Sequence, residues 1–328
     1  MKNNKILWSL KEVNRNSWDL YWPQTKFSNL MQSWEYGEAK KCQGWKPFRF
    51  LLLDNFGVER GLLQVLAKEL PLIGGVVRIN RGPVLFHDLI DEPLNETEIY
   101  CILSAIKKYA LKRRWWYISY APELVNTDIT TALLEDSGYK KNHKKIAWGS
   151  ARLSLTPNID DLFMGLNGKW RNLLRKGQKL GTSVLDVTNR DDIRKLIDMY
   201  VQFQKEKGFI GMSTDLLTAM VGTVDQNIKL NVYRTLDAKN HQTSGFVFIS
   251  YTGDTATYLV GWTSDEGRRQ QANYLLLWAG IQNAKKSGVK WFDLGGINQN
   301  TPKGIRHFKE GISGSPINLV GEHSTFSF

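Results

Sequence analysis

Two stretches of the chain, "AIKKYALKRRWWYISYAP" at Ala105–Pro122 and "GIQNAKKSGVKWFDLGG" at Gly280–Gly296, follow one plan. Each is a helical pattern with a cationic end that runs directly into an aromatic strand. The flanks repeat too. "PFRFLLLDN", "RGLLQVLAKEL" and "GGVVRINRGPVLF" read as strands around turns before the first copy. "KLNVYRTLDAKNHQTSGFVFISYTGDTATYLVGWT" gives three strands with Asp/Gly-rich turns before the second. In the first copy "NETEIYCILSAIKKYALKRR" has helical periodicity behind an Asn or Thr cap, and in the second "QANYLLLWAGIQNAKKSG" is a helix with a glycine stop. Antiparallel strands, a helix and a further strand, occurring twice, predict a duplicated α/β (α+β) unit. A length of 328 residues allows two such units.

The boundary is expected near Trp148–Leu155, dividing residues 1–150 from 151–315. The segment "LTPNIDDLFMGLNGKWRNLLRKGQKLG" then opens the second unit as an amphipathic, strongly basic helix. Apolar residues at 42% and charged residues at 23% are ordinary for a globular protein and argue against long disorder. The two cysteines, Cys42 and Cys101, match no metal or disulfide spacing, and a reducing cytoplasm is the expected setting. The opening "MKNNKILWSLKEVNRN" lacks the apolar core of a secretory leader, and no apolar run reaches membrane-span length.

A net charge of +12 points to polyanionic partners, although a merely basic surface gives the same number. Several routine chemistries are excluded. No G-x-S-x-G elbow occurs, the five histidines form no metal-ligand pattern, and "GLNGKW" lacks the spacing of a phosphate loop. No metal is expected.

Three stretches carry candidate chemistry. "KWRNLLRKGQKLG" places Lys169, Arg171, Arg175, Lys176 and Lys179 within three turns, either as a phosphate-contacting face or as a solvated one. "QSWEYGEAKKCQGWKP" sets Trp34, Tyr36, Lys40 and Trp45 together, where a cation and aromatics grip a nucleotide or diphosphate, or where the aromatics simply pack inward. The third is "KWFDLGGINQNTPKGIRHFKEGISG", Lys290–Gly314. Asp293 ends an apolar strand, where burial demands hydrogen-bond partners. Gly295 and Gly296 let the backbone approach a ligand. Lys309 follows beyond a loop, where its ammonium can offset charge developing on an attacked carbonyl oxygen. Taken singly, Asp293 also reads as a turn cap and Lys309 as an exposed cation.

These stretches, with "INRGPVLF", "NYLLLWAGIQNAKKSG" and "HFKEGISG", occur in an order that resembles the Fem family of aminoacyl-tRNA-dependent peptidyltransferases over nearly the whole chain. The resemblance implies two tandem acetyltransferase-like (GNAT-type) domains facing a cleft, with residues 316–328 packing on the first. Too few residues separate "MYVQFQKEKGF" from "NIKLNVY" for the helical hairpin of larger members, so the chain resembles the compact form. It further implies catalytic roles for Lys309, as oxyanion stabiliser, and Phe308. It also implies an acceptor-diphosphate contact for Lys40; from the residues themselves, substrate contacts are expected at Trp34, Tyr36, Tyr258, Asp293, Gly295 and Gly296, and tRNA contacts at Lys169, Arg171, Arg175, Lys176 and Arg306. Aminoacyl-tRNA is then a co-substrate with no further cofactor, and the acceptor is a peptide or nucleotide-linked peptide; a lipid-linked acceptor would bring peripheral membrane contact.

Two departures stand out. The place of a family aspartate falls at Tyr120–Ala121, and "KGFIGMSTD" lacks the phosphate-binding arginine of compact members. The acceptor is therefore left open between a cell-wall precursor, another glycan and a peptide natural product. An acyl-CoA-dependent acyltransferase is the first rival, but its R-x-x-G-x-G/A loop reads Arg269-Gln270-Gln271-Ala272-Asn273-Tyr274 here, without either glycine. A non-catalytic RNA-binding module is the second.

Overall fold

The computed structural model describes residues 8–86, 94–209, 211–222, 228–237 and 240–327; the first seven residues, on which the reading of a missing leader partly rests, lie outside them. The chain divides into two compact units, Met1–Gly149 with Ile317–Phe328, and Ser150–Pro316.

In the first unit β1 (Ser9–Glu12), α1 (Arg15–Tyr21) and α2 (Trp34–Lys40) precede the antiparallel strands β2 (Lys46–Leu53), β3 (Glu59–Leu70) and β4 (Gly74–Asn80), with β5 (Val84–Leu85) alongside β3. Helix α3 (Glu96–Lys112) then crosses to β6 (Trp115–Ala121), which pairs parallel to β4. Asn95 starts α3 with a capping box to Glu98, and the helix buries Ile99, Ile102, Leu103, Ile106 and Ala110 at helical spacing. They pack on Phe50, Leu52, Leu63, Val65 and Trp115. The opposite sheet face is covered by Trp18 and Trp22 against Leu51 and Leu62. After α4 (Asp128–Asp136) and β7 (Lys140–Lys141) the chain enters the second unit.

There β8 (Gly149–Ser154) leads into α5 (Ile159–Gly165) and α6 (Gly168–Lys179). The single basic helix expected over this stretch is thus two. Leu166 is extended and Asn167 caps the new helix with its side chain, so the backbone turns before the cationic segment begins. β9 (Val184–Asp186), α7 (Arg190–Lys207) and α8 (Thr214–Gly222) precede the meander β10 (Ile228–Leu236), β11 (Thr243–Thr252) and β12 (Thr255–Thr263). Strand β11 is buried on both faces. Val247, Ile249 and Tyr251 join one core, while Phe246 and Phe248 join another with Ile193, Leu196, Ile197 and Leu217. α9 (Asp265–Arg269) and α10 (Ala272–Lys286) connect to β13 (Trp291–Asp293), which is parallel to β12. α11 (Lys303–Glu310) and β14 (Ser315–Asn318) follow, and β15 (His323–Phe326) adds to the first sheet, antiparallel to β6.

The sheet orders are β1-β2-β3-β4-β6-β15-β7 and β14-β8-β13-β12-β11-β10-β9. Each contains a parallel pair bridged by a helical crossover, β4–α3–β6 and β12–α10–β13, which is the repeated unit in physical form. Asn95→Ala removes the α3 cap and is expected to lower stability by about 1 kcal/mol in chemical denaturation.

Candidate active site

Strands β12 and β13 pair only from Thr255–Trp291 to Thr257–Asp293. Immediately beyond, the β11–β12 register slips between Phe248–Val260 and Ile249–Tyr258, leaving Leu259 as the extra residue. The parallel strands therefore part at their C-terminal ends, the position where sheets of this kind take ligands. Asp293 is 1% exposed at this point. Its carboxylate accepts the Gly295 N–H at 2.8 Å and meets the Ser150 hydroxyl, which also lies 2.9 Å from the Gly295 carbonyl. Gly295 has φ +69, and a Cβ there would stand 2.5 Å from the Tyr258 carbonyl. Only glycine makes this turn without strain.

The turn delivers the Gly296 carbonyl to the Lys309 ammonium, 3.1 Å away. The same nitrogen lies 4.9 Å from the centroid of the Tyr258 ring. Lys309 is not a loop cation. It sits in the last turn of α11 and is 6% exposed. Burial lowers its pKa to about 8, against the opposing pull of the Asp293 carboxylate. Burial, with the Tyr200 phenol beside it, keeps the Tyr258 hydroxyl protonated well above the usual tyrosine range. Lys309, Tyr258, Asp293, Gly295 and Gly296 are thus brought together, and Ser150 joins them.

Phe308 is turned elsewhere. Its ring stacks on Trp170 at 6.0 Å and meets Tyr274 edge-on at 5.2 Å, while its carbonyl accepts from Trp170 Nε1 at 3.0 Å. This aromatic group fastens α11 to α6 and α10, and its Trp170 and Tyr274 wall a pocket of about 310 Å³ with Lys169, His307 and Glu310 among its lining residues. No motif in the sequence marks Trp170 for this position.

With this geometry in hand, three comparisons place the chain. The acetyltransferase (GNAT) domain family model matches residues 167–310. A UDP-N-acetylmuramoylpentapeptide-lysine N(6)-alanyltransferase of Weissella viridescens is 20% identical over 319 residues, 91% of this chain and 89% of that protein. The crystal structure of FemX superposes with a TM-score of 0.77 at 16% identity, covering 97% of each chain. The chain carries an acetyltransferase (GNAT)-type domain and is similar in sequence and fold to Fem-type proteins. A tandem GNAT protein from the clavulanic acid biosynthesis pathway shares the fold more loosely, with a TM-score of 0.54 at 12% identity over 98% of this chain and 99% of that one.

The other residues singled out in the sequence sit as follows. On α6, Trp170, Leu174 and Gly177 face inward and Lys169, Arg175, Lys176 and Lys179 are exposed. Arg171 instead folds back onto the Met164 carbonyl. Arg306 donates to the Asn298 carbonyl at 2.6 Å, pinning the loop before α11. In the first unit Tyr36 is 6% exposed, its pKa pushed up to about 12 by burial. The Trp34 ring is covered by the Arg49 guanidinium at 3.5 Å. Those aromatics pack with the protein, and the outward part of the group is cationic. Lys40 lies 5.8 Å from the Tyr36 ring, its pKa lowered first by burial and then by Arg78 and Lys68 nearby. Tyr120, at the place of the family aspartate, is 1% exposed and donates to the Gly82 carbonyl at 2.8 Å.

Gly295→Ala forces both the strained φ and the clash with Tyr258. A loss of roughly 2 kcal/mol is expected, read as a lower thermal midpoint.

Proposed function

We propose that this chain forms an amide by moving an aminoacyl group from the ester of a charged tRNA to the amine of a peptide acceptor, a peptidoglycan precursor or a related peptide. The observation that carries the reading is Lys309, an ammonium held in the interior at the parting of two parallel strands. An ammonium has three N–H groups. One reaches Gly296 and the Tyr258 ring faces the nitrogen, so the group is pre-oriented for a further acceptor.

An aminoacyl ester is already activated, so positioning and charge stabilisation supply most of what the reaction needs. The acceptor nitrogen attacks the ester carbonyl carbon, and a C–N bond forms as the carbonyl π pair moves to oxygen. Lys309 stabilises that oxyanion. Collapse breaks the bond to the ribose oxygen, which leaves with the proton lost from the amine. No further cofactor takes part. The pocket walled by Trp170 and Tyr274, with Lys169 and His307, suits the base and phosphate of an RNA end. Lys176 and Lys179 on α6 add attraction for phosphates. Lys40, with Arg78 and Lys68, suits the diphosphate of a nucleotide-linked acceptor. The alanyltransferase relative, named for a UDP-N-acetylmuramoylpentapeptide lysine, favours that acceptor class.

The direct test adds purified protein to tRNA charged with labelled amino acids and to muramoylpentapeptide nucleotide, then follows RNase-resistant label. Transfer supports the reading; consumption of acetyl-CoA with no use of charged tRNA refutes it. Lys309→Met is expected to reduce turnover by about 100-fold while circular dichroism stays native; a loss under about threefold removes the oxyanion role. Because burial depresses the Lys309 pKa to about 8, its charge is present below that pH and lost above it. The wild-type rate is therefore expected to fall above pH 8, whereas the residual rate of Lys309→Met keeps rising as the acceptor amine deprotonates.

Lys40→Ala is expected to raise KM for a nucleotide-linked acceptor about tenfold with kcat little changed, measured by steady-state kinetics.

A further inference from the structure

The first unit has an end that folding does not explain. Between β3 and β4 the chain turns through Leu70-Pro71-Leu72-Ile73, closed by the Ile73 N–H on the Leu70 carbonyl at 3.3 Å. Leu72 has φ +66, a conformation that turns of this kind normally give to glycine or asparagine. The residue placed there is a leucine that is 96% exposed, beside Ile73 at 67% and Leu70 at 58%. Three aliphatic side chains are thus held out in water at a hairpin tip, with Trp116 at 41% exposure near the start of β6 at the same end of the sheet.

Cations surround them. Lys46, Arg113 and Arg114 line, with Glu69, Leu70 and Leu72, a pocket of about 520 Å³. Glu69 is the acidic residue in that lining, and it is held by Lys46 at 3.1 Å, Arg113 at 3.4 Å and Trp115 Nε1 at 2.8 Å. Lys112 closes α3 alongside. The opposite end of the sheet makes the contrast. Phe56 is 83% exposed in the β2–β3 turn, but the acids Asp54 and Glu59 flank it. Among the described residues, the β3–β4 end combines exposed aliphatics with excess positive charge.

We propose that this end of the first unit docks on an anionic phospholipid surface, with Leu72 and Ile73 entering the headgroup–acyl boundary and the cationic pocket receiving a lipid phosphate. Aliphatic tips gain by leaving water for lipid, and the neighbouring cations are attracted to the negative surface. RNA would use the cations but has no place for three aliphatic side chains. No described helix is long and apolar enough to cross a membrane, so the contact is peripheral. The docking surface stands on its own observations and does not depend on the transfer chemistry proposed above.

The test is co-sedimentation of the full chain with vesicles of phosphatidylglycerol and phosphatidylcholine in equal parts, against phosphatidylcholine alone. Binding is expected to be at least about tenfold tighter to the anionic vesicles and to weaken as salt rises. Leu72→Ser with Ile73→Ser is expected to weaken it about tenfold at an unchanged thermal midpoint, with transfer to a soluble acceptor retained. Lys112→Gln with Arg114→Gln is expected to flatten the salt dependence. The proposal is overturned by absent vesicle binding at low salt, by a double-serine variant that binds as wild type, or by cation variants that lose RNA but not vesicles. A double-serine variant that loses soluble transfer also overturns it, since the tip would then belong to the substrate site.

Discussion

An ammonium taken out of water must be compensated by its surroundings, and the second unit is built locally around that requirement at Lys309. The compensation is backbone and ring rather than a direct ion pair: the Gly296 carbonyl, the Tyr258 face and, at longer range, Asp293. Each partner has its own cause. The carbonyl is in place because Gly295 turns with positive φ. That turn is fixed because the Asp293 carboxylate accepts its N–H, and Ser150 braces both. Tyr258 stands at the slip in β12, and Gly261 leaves it room: a Cβ there would lie 2.0 Å from the phenol oxygen. A charge held this way has little freedom to relax, the property that the proposed oxyanion role requires.

The same fold supports acyl transfer from coenzyme A, so the choice of donor rests on side chains rather than topology. Backbone recognition of a pyrophosphate needs glycines where the chain enters the helix. Here Gln271 occupies the left-handed position before α10 and makes no side-chain cap, while Tyr274 is committed to the Trp170–Phe308 aromatic group. Ring surfaces with cations nearby offer stacking and phosphate attraction instead, the combination on which the proposed tRNA donor rests.

The sequence disclosed the β–α–β repeat because the first crossover helix is periodic behind a cap at Asn95 and the second is apolar and stops at Gly288. It also disclosed Asp293, since an acid at the end of an apolar strand has to be hydrogen-bonded. It did not disclose that Lys309 is helical and buried. "KGIRHFKE" is mostly polar, and only the tertiary position of α11 sets Lys309 inward while Arg306 folds onto Asn298. Ser150 was equally silent, because a serine 143 residues from its partner leaves no local pattern. The break at Leu166-Asn167 was hidden by apolar residues that continue the helical spacing across it, and a cap decided against the spacing.

Comparison of the two strand ends within their own units explains why the repeat need not mean two sites. In the first unit the end of β6 is filled by protein. Arg81, 6% exposed, makes paired hydrogen bonds to Glu123 at 2.6 and 2.9 Å, its N–H donates to the Ala121 carbonyl, and Tyr120 reaches Gly82. A bidentate pair of this kind satisfies its own donors and acceptors and offers little to a substrate. In the second unit the equivalent position is a glycine turn under a lysine whose counter-charge is indirect. Duplication thus supplied two frames of the same topology; the first is closed by an arginine–glutamate pair, and the second holds a buried lysine against a backbone carbonyl and an aromatic ring.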